Sequence, residues 1–240
     1  MRLRLLPRWT VRPASVLCTL AVLLGLVFAC TGGSGDSPEV LGERLRSAKQ
    51  ALDRAASIDL ALRADRLPPS VDGISEATGV ATHAAAFRGR ITIAASGLFD
   101  GQTVEVVAVG GDVYAQTPFS SSFIRVDPAA FNAPDPARLM DSGSGLSTLL
   151  TAATGLAEAG QEREGDRVLS SVTGQVPGAA VARTFPSASA REEFEATFWL
   201  DGDDRLRRAE LTGPFYRGAP PVTYDLTLQA SDQPVDITAP

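Results

Sequence analysis

Alternation of apolar and polar residues at every second position is the feature that most constrains the fold of this chain. It begins after Ser57, where Ile58, Leu60 and Leu62 share one face and the residues between them share the other. A period of two is typical of a β-strand with one buried face. Strand character recurs at residues 91–93, 103–108, 113–115, 124–126, 166–176, 193–200, 206–211, 222–228 and 235–237. The sequence therefore predicts a protein built mainly from strands.

Short turns between these segments favour antiparallel pairing. Gly110 and Gly111 supply the positive φ that a tight hairpin needs, and residues 201–204 (DGDD) are typical of a second hairpin turn. A calcium loop there would need an oxygen ligand where Arg205 stands and a glutamate where Thr212 stands. Roughly nine to eleven strands are too many for a flat layer, so strand twist is expected to curl the sheet into an incomplete barrel.

An amphipathic helix precedes the strands. It opens at Pro38, and its apolar residues recur at intervals of three and four: Val40, Leu41, Leu45, Ala48, Leu52 and Ala55. This spacing predicts one helix of about 17 residues that packs on a face of the sheet. A second, short helix is predicted within residues 145–157. No break in composition and no repeat divides residues 39–240, which we predict to form a single α+β domain.

The first 29 residues have the order of a signal peptide. Four arginines and no acidic residue come first, and residues 14–29 are uncharged and almost wholly apolar. This run is shorter than the roughly 20 residues that a membrane-spanning helix needs, which favours a cleaved signal over the alternative, a permanent transmembrane anchor.

A bacterial lipoprotein box resembles the motif VFAC at residues 27–30, although Phe28 departs from the small residue usual at its position. The box implies that Cys30 is acylated and becomes the new N-terminus. Residues 30–38 are rich in Gly and Ser and are predicted to be a flexible tether. We therefore expect an exported protein that is anchored to the outer face of the plasma membrane through Cys30.

The charge of the exported part excludes nucleic acid as a partner. Removing residues 1–29 takes four of the 22 basic residues and none of the 28 acidic ones, which leaves a net charge of −10. Nucleic-acid binding requires a basic surface, and so does electrostatic attachment to anionic lipids. Any hold on a membrane is therefore expected to be covalent or apolar.

The residue types that carry most enzyme chemistry are missing. Lys49 is the only lysine and stands outside any nucleotide-binding loop, His83 is the only histidine, and Cys30 would be the only cysteine left after processing. An acidic cluster at residues 192–195 is expected to be a solvated strand face, and its use by a hydrolase is a minor alternative. The sequence predicts no catalytic residue, no metal site and no cofactor.

The order of these features resembles the actinobacterial LppX/LprA/LprF/LprG family of cell-envelope lipoproteins. The resemblance covers residues 30–240 and is carried by Cys30, the opening helix and a set of strand motifs. These motifs are GRITI at 89–93, GDVYA at 111–115, EATFWL at 195–200, LRRAEL at 206–211, and the closing segments 222–228 and 234–237. None of the motifs is specific alone, and their order carries the resemblance.

This resemblance implies a curved antiparallel sheet with helices on its concave side and an apolar cavity between them. It also implies a multi-acyl lipid or lipoglycan as ligand and a shuttle role across the envelope, with a membrane lipid transporter as a candidate partner. The fold is similar to that of LolA/LolB and MucB-type proteins, so a non-carrier lipoprotein that binds a protein partner stays open as the alternative.

Strand alternation selects the residues expected to line such a cavity. These are Ile91, Ile93, Val104, Val106, Ala108, Phe198 and Leu200. A register error of one residue would reverse each face, and packing in a filled core is an equally open role for each of them.

The lipoprotein box predicts that Cys30→Ala releases the protein from the membrane fraction or leaves it unprocessed, because the acylated sulfur would be lost. Membrane fractionation and metabolic labelling with a fatty acid measure this. Cys18→Ala is the matched control, since Cys18 leaves with the signal peptide. Lipid label that persists on the Cys30→Ala protein would refute the box.

Overall fold

Eleven strands form one antiparallel sheet in a computed structural model that describes residues 35–69, 71–95 and 100–240. The predicted signal peptide and Cys30 lie outside these residues. The strands are β1 Ser57–Ala64, β2 Gly73–Thr82, β3 Ala86–Ala94, β4 Thr103–Val109, β5 Asp112–Gln116, β6 Ile124–Val126, β7 Thr154–Glu164, β8 Arg167–Pro177, β9 Glu193–Leu200, β10 Leu206–Gly213 and β11 Val222–Ser231.

The sheet order is β6-β5-β4-β3-β2-β1-β11-β10-β9-β8-β7, so two meanders meet where β1 pairs with β11. Strands β6 and β7 are its two edges, and the sheet does not close. The predicted α+β fold with an antiparallel sheet that forms an incomplete barrel is confirmed.

Three α-helices accompany the sheet in the described part of the chain: α1 Pro38–Arg54, α2 Ser147–Ala152 and α3 Gly178–Thr184. In α1, the side chain of Ser37 accepts a hydrogen bond from the backbone N–H of Val40, and Pro38 occupies the first turn. The helix buries Leu41, Leu45, Ala48 and Leu52 in the same apolar cluster as the inward faces of the strands. The helices therefore cover the core side of the sheet.

The two ends of the strands differ. Tight turns join β2–β3, β4–β5, β7–β8 and β9–β10 at what we call the turn end, and longer connections join β1–β2, β5–β6, β8–β9 and β10–β11 at the opposite, loop end. Helix α1 contacts two of the tight turns. Arg44 donates from Nε to Asp204 at 2.7 Å, and His83 donates from Nε2 to the carbonyl of Leu52 at 3.3 Å. The helix thus covers the turn end.

Four elements differ from the sequence-based expectation. Strand β2 was not predicted because its inward positions are Ala77, Gly79 and Ala81, which give little hydrophobic signal. Strand β7 was not predicted because it is exposed along most of its length and shows no apolar alternation. The helix predicted within residues 145–157 ends at Ala152, since β7 begins at Thr154. Helix α3 is short and rich in small residues, and was also missed.

The segment 235–237, predicted as a final strand, is instead part of a tail that crosses the outer face of the sheet. The Oγ of Ser57 donates to the carbonyl of Gln233 at 2.9 Å, and Ile237 is buried against Ala86 and Val107. Because β11 is already paired with β1 on one side and with β10 on the other, it offers no free edge to the tail that follows it.

A buried aspartate organises the β9–β10 turn, where the sequence predicts a hairpin. Oδ1 of Asp201 accepts the backbone N–H groups of Asp203 and Arg205, both at 3.0 Å, and Oδ2 accepts from Nε of Arg207 at 2.7 Å. Burial acts to raise the pKa of Asp201, but these three donors outweigh it and hold the pKa below its usual value. The carboxylate is therefore stabilised in its charged form.

We expect Asp201→Asn to lower the free energy of unfolding at pH 7 by about 2 kcal/mol, because it removes the charge that pairs with Arg207. A group whose pKa is lowered by folding stabilises the protein above its unfolded pKa, and this stability is lost as the pH falls through the folded pKa. The difference between variant and parent should therefore shrink at acid pH. Urea denaturation at several pH values measures it, with the exposed Asp203→Asn as control.

Candidate functional site

An apolar cavity lies between the core face of the sheet and the segments that cover it. It contains about 710 Å³ of space free of atoms, its open mouth included. Its wall is made by Leu60, Leu62, Ile74, Ala77, Phe87, Ile91, Tyr224 and Leu226, and its cover by Asn132, Ala133, Pro134, Pro136, Leu139, Leu146, Phe185, Ser187, Phe215 and Tyr216. None of these lining residues is charged.

A second apolar cavity adjoins the first on the side of β9 and β10, with about 450 Å³ of space free of atoms, open solvent included. The two share Leu62, Leu146, Phe185, Phe215, Tyr224 and Leu226. The remaining lining residues of the second cavity are Leu149, Leu150, Phe198, Leu206, Ala209 and Leu211. The shared side chains therefore form a partition with free space on both sides.

The wall follows from strand register. Leu60 pairs with Leu228 and Leu62 with Leu226 across the β1–β11 junction, so apolar side chains of both meanders lie side by side on the core face. On β2 and β3, Gly79 and Gly89 leave room for the Phe87 ring, because a Cβ at either position would lie 2.7 Å from its Cζ atom. Large and small side chains together shape the wall.

An aromatic cluster forms the partition. The Phe215 ring packs edge-to-face against three others, with centroid distances of 5.7 Å to Phe185, 4.9 Å to Phe194 and 4.9 Å to Tyr224. Edge-to-face pairs stabilise a fixed ring arrangement beyond the burial of their area. The cluster therefore sets the boundary between the two cavities.

Two tyrosine hydroxyls introduce polarity into the wall near the loop end. The hydroxyls of Tyr216 and Tyr224 lie 2.5 Å apart, and Tyr224 donates to the carbonyl of Ile74 at 2.9 Å. Burial raises the pKa of both hydroxyls, so both stay protonated at neutral pH. Gly73 makes room for this pair, since a Cβ there would lie 2.4 Å from the Tyr216 hydroxyl oxygen.

The residues predicted to line a cavity divide into two groups. Ile91 lines the first cavity and Phe198 the second. The other five, Ile93, Val104, Val106, Ala108 and Leu200, are buried in the main apolar cluster without being lining residues of either cavity. A ligand contact for any of the seven stays a prediction.

Sequence reasoning missed most of the cover. Phe185, Phe215 and Tyr216 lie in connections between elements, where no periodicity marks them as buried. Tyr224 and Leu226 could have been found, because they alternate within the predicted segment 222–228.

The arrangement of these residues suits the binding of an apolar molecule. The cavity lining contains no Cys, His, Asp or Glu. Across the described ranges, no three or more His, Cys, Asp or Glu side chains are placed to hold a metal ion. No helix among the described residues is long and apolar enough to cross a membrane.

A family model described as LppX_LprAFG lipoprotein matches residues 38–237. The chain is also 26% identical over 244 residues to the lipoarabinomannan carrier protein LprG of Mycobacterium leprae (strain TN), and the match covers 98% of each chain. The family match spans the whole sheet and all three helices.

Two solved structures share the fold. The crystal structure of LprF from Mycobacterium bovis superimposes with a TM-score of 0.68 at 16% identity and covers 86% of this chain and 99% of that one. The crystal structure of LppX from Mycobacterium tuberculosis gives a TM-score of 0.62 at 21% identity and covers 84% and 100%. At these identities the likeness establishes the fold alone.

We expect Gly73→Ala to lower the free energy of unfolding by about 1–3 kcal/mol, because the new methyl group would displace Tyr216 from its contact with Tyr224. Urea denaturation followed through Trp199 fluorescence measures this. Gly202→Ala is the control, since nothing lies within 4 Å of a Cβ at that position. Equal stability of the two variants would contradict the packing described for Gly73.

Proposed function

Because the chain belongs to the LppX_LprAFG lipoprotein family, we propose that it binds acylated lipids or lipoglycans in its apolar cavity and shuttles them across the cell envelope. The observation that carries this proposal is the apolar cavity, whose lining residues are all uncharged. Acyl chains are the ligand chemistry that such a lining favours, because they have no polar group to satisfy. The similarity to a lipoarabinomannan carrier supports the lipoglycan class.

A carrier solves an energetic problem that acyl chains have in water. Transfer of a diacyl lipid with about 30 methylenes from a bilayer into water costs at most about 24 kcal/mol of free energy, at roughly 0.8 kcal/mol for each methylene. Transfer from a bilayer into a dry protein cavity exchanges one apolar surrounding for another and lies near balance. Direction then comes from a partner or a gradient, and a membrane lipid transporter is the partner we propose.

The size of the cavity bounds what the protein holds in this conformation. The volume of about 710 Å³ includes open solvent at the mouth, and only about 70 Å³ of the first cavity is open to the centre of a water-sized group. That is room for a few water-sized groups, so a long acyl chain requires the covering segments to move outward. A lipid with more chains would also fill the second cavity, which requires the Phe185 and Phe215 rings between them to move.

Attachment to the membrane completes the proposal. Acylation of Cys30 would hold the domain at the outer face of the plasma membrane, with the tether of residues 31–37 leaving it free to turn. The carrier would then load lipid without diffusing away from the bilayer.

The proposal predicts that the protein purified from its native host carries acyl lipid and that Ile91→Trp carries several-fold less. The larger ring would occupy space that the lipid needs in the first cavity. Organic extraction followed by mass spectrometry measures the lipid per protein.

Thr92→Trp is the matched control for this experiment. Thr92 is the next residue on β3 and points to the opposite, outer face, where its hydroxyl lies 2.9 Å from that of Thr103. It should keep the parent's lipid content. Parent protein that carries no lipid, or equal lipid on Ile91→Trp and parent, would overturn the carrier proposal.

A further inference from the structure

The Tyr216–Tyr224 pair has one hydrogen-bonding capacity left over. A carbonyl oxygen can only accept a hydrogen bond, so Tyr224 donates its hydroxyl hydrogen to the carbonyl of Ile74. The hydrogen between the two tyrosines must therefore come from Tyr216, which donates to the oxygen of Tyr224. The backbone N–H of Ile74 also approaches the oxygen of Tyr216 and uses one of its two lone pairs, so the second lone pair stays open. Both side chains line the first cavity. The pair therefore offers a bound molecule an acceptor and no donor.

Ser187, on the cover of the first cavity, also donates its hydroxyl hydrogen within the protein. Oγ of Ser187 donates to the carbonyl of Asn132 at 3.1 Å, and Nδ2 of Asn132 donates to the carbonyl of Asp72 at 2.8 Å. Asn132 is held for this bond in a left-handed conformation, with φ of 52°, which asparagine tolerates better than most residues. Ser187 thus presents oxygen lone pairs, as Tyr216 does.

The uncharged lining of both cavities narrows the class of ligand further. Neither cavity is lined by Arg, Lys or His. A phosphate drawn into this lining would lose its hydration with no cation to pair with, which is costly. An uncharged group that donates hydrogen bonds, namely an alcohol, meets no such penalty.

We propose that the oxygen of Tyr216 accepts a hydrogen bond from a free hydroxyl that lies next to the acyl chains of the bound lipid. This inference rests on the proposed function and names its ligand class: uncharged acylated polyols with at least one unesterified hydroxyl. Diacylglycerol is the simplest molecule of this class. Tyr216 then acts as a specificity-determining residue.

The test compares two lipids that differ only at this hydroxyl. The delipidated exported protein is titrated with 1,2-dioctanoylglycerol and with its 3-acetyl ester, and displacement of a fluorescent fatty acid reports binding. The parent should bind the free alcohol about three- to tenfold more tightly, the difference that one neutral hydrogen bond supports. In Tyr216→Phe this ratio should fall to about one.

Tyr114→Phe is the matched control, because Tyr114 lies on β5 away from both cavities. It should keep the parent's ratio. A ratio of one in the parent, or an unchanged ratio in Tyr216→Phe, would overturn the role of Tyr216 while leaving the carrier proposal intact. Failure of the parent to bind either lipid would overturn both.

A measurement on the parent alone keeps the inference testable if Tyr216→Phe does not fold. Dioctanoyl phosphatidic acid has the same chains as the diacylglycerol and a phosphate in place of the hydroxyl. It should bind at least tenfold more weakly, since no cation lines the cavity. Equal or tighter binding of the phosphate would overturn the preference for an uncharged alcohol.

Discussion

Pairing between the first and last strands is the interaction on which the rest of the structure depends. Strands β1 and β11 are matched residue for residue from Ser57 opposite Ser231 to Ala64 opposite Tyr224. Each of the two meanders exposes an apolar face that neither can bury alone. The pairing places these faces in one continuous concave surface, and only then do α1 and the covering segments have a core to pack on. The cavities lie against this junction, since Leu62 and Leu226 border both of them.

Much of the sheet could be predicted because its strands carry large apolar residues at every second position. The segment 193–200 coincides with β9, and the buried Asp201 follows at the predicted turn. Strand β2 escaped prediction for a physical reason: its inward residues must be small where Phe87 lies over Gly79 and Gly89. A hydropathy pattern identifies a strand by its large apolar side chains, and it does not identify positions where a neighbouring side chain requires a small residue.

The cavity was less predictable than the sheet because only its wall is made of strands, whereas its cover is made of the connections between them. Wall residues such as Ile91 obey the strand period and can be picked from sequence, although the same period selects Val106 and Ala108, which lie in the core instead. The cover comes from connections that have no period. The hydroxyl pair joins Tyr216, in one of these connections, to Tyr224 on β11, and only the folded hairpin brings them within 2.5 Å.

The position of β11 between β1 and β10 also determines when the sheet can form during synthesis of the chain. Its partner β1 is made first and β11 last, so the junction has a high contact order and its formation must wait for almost the whole chain. Until then, β1 and β10 each present a bare edge to which another nascent molecule could add a strand. A chain interrupted before residue 222 would leave both edges unpaired and would lack Tyr224 and Leu226 of the cavity wall, so we expect it to aggregate.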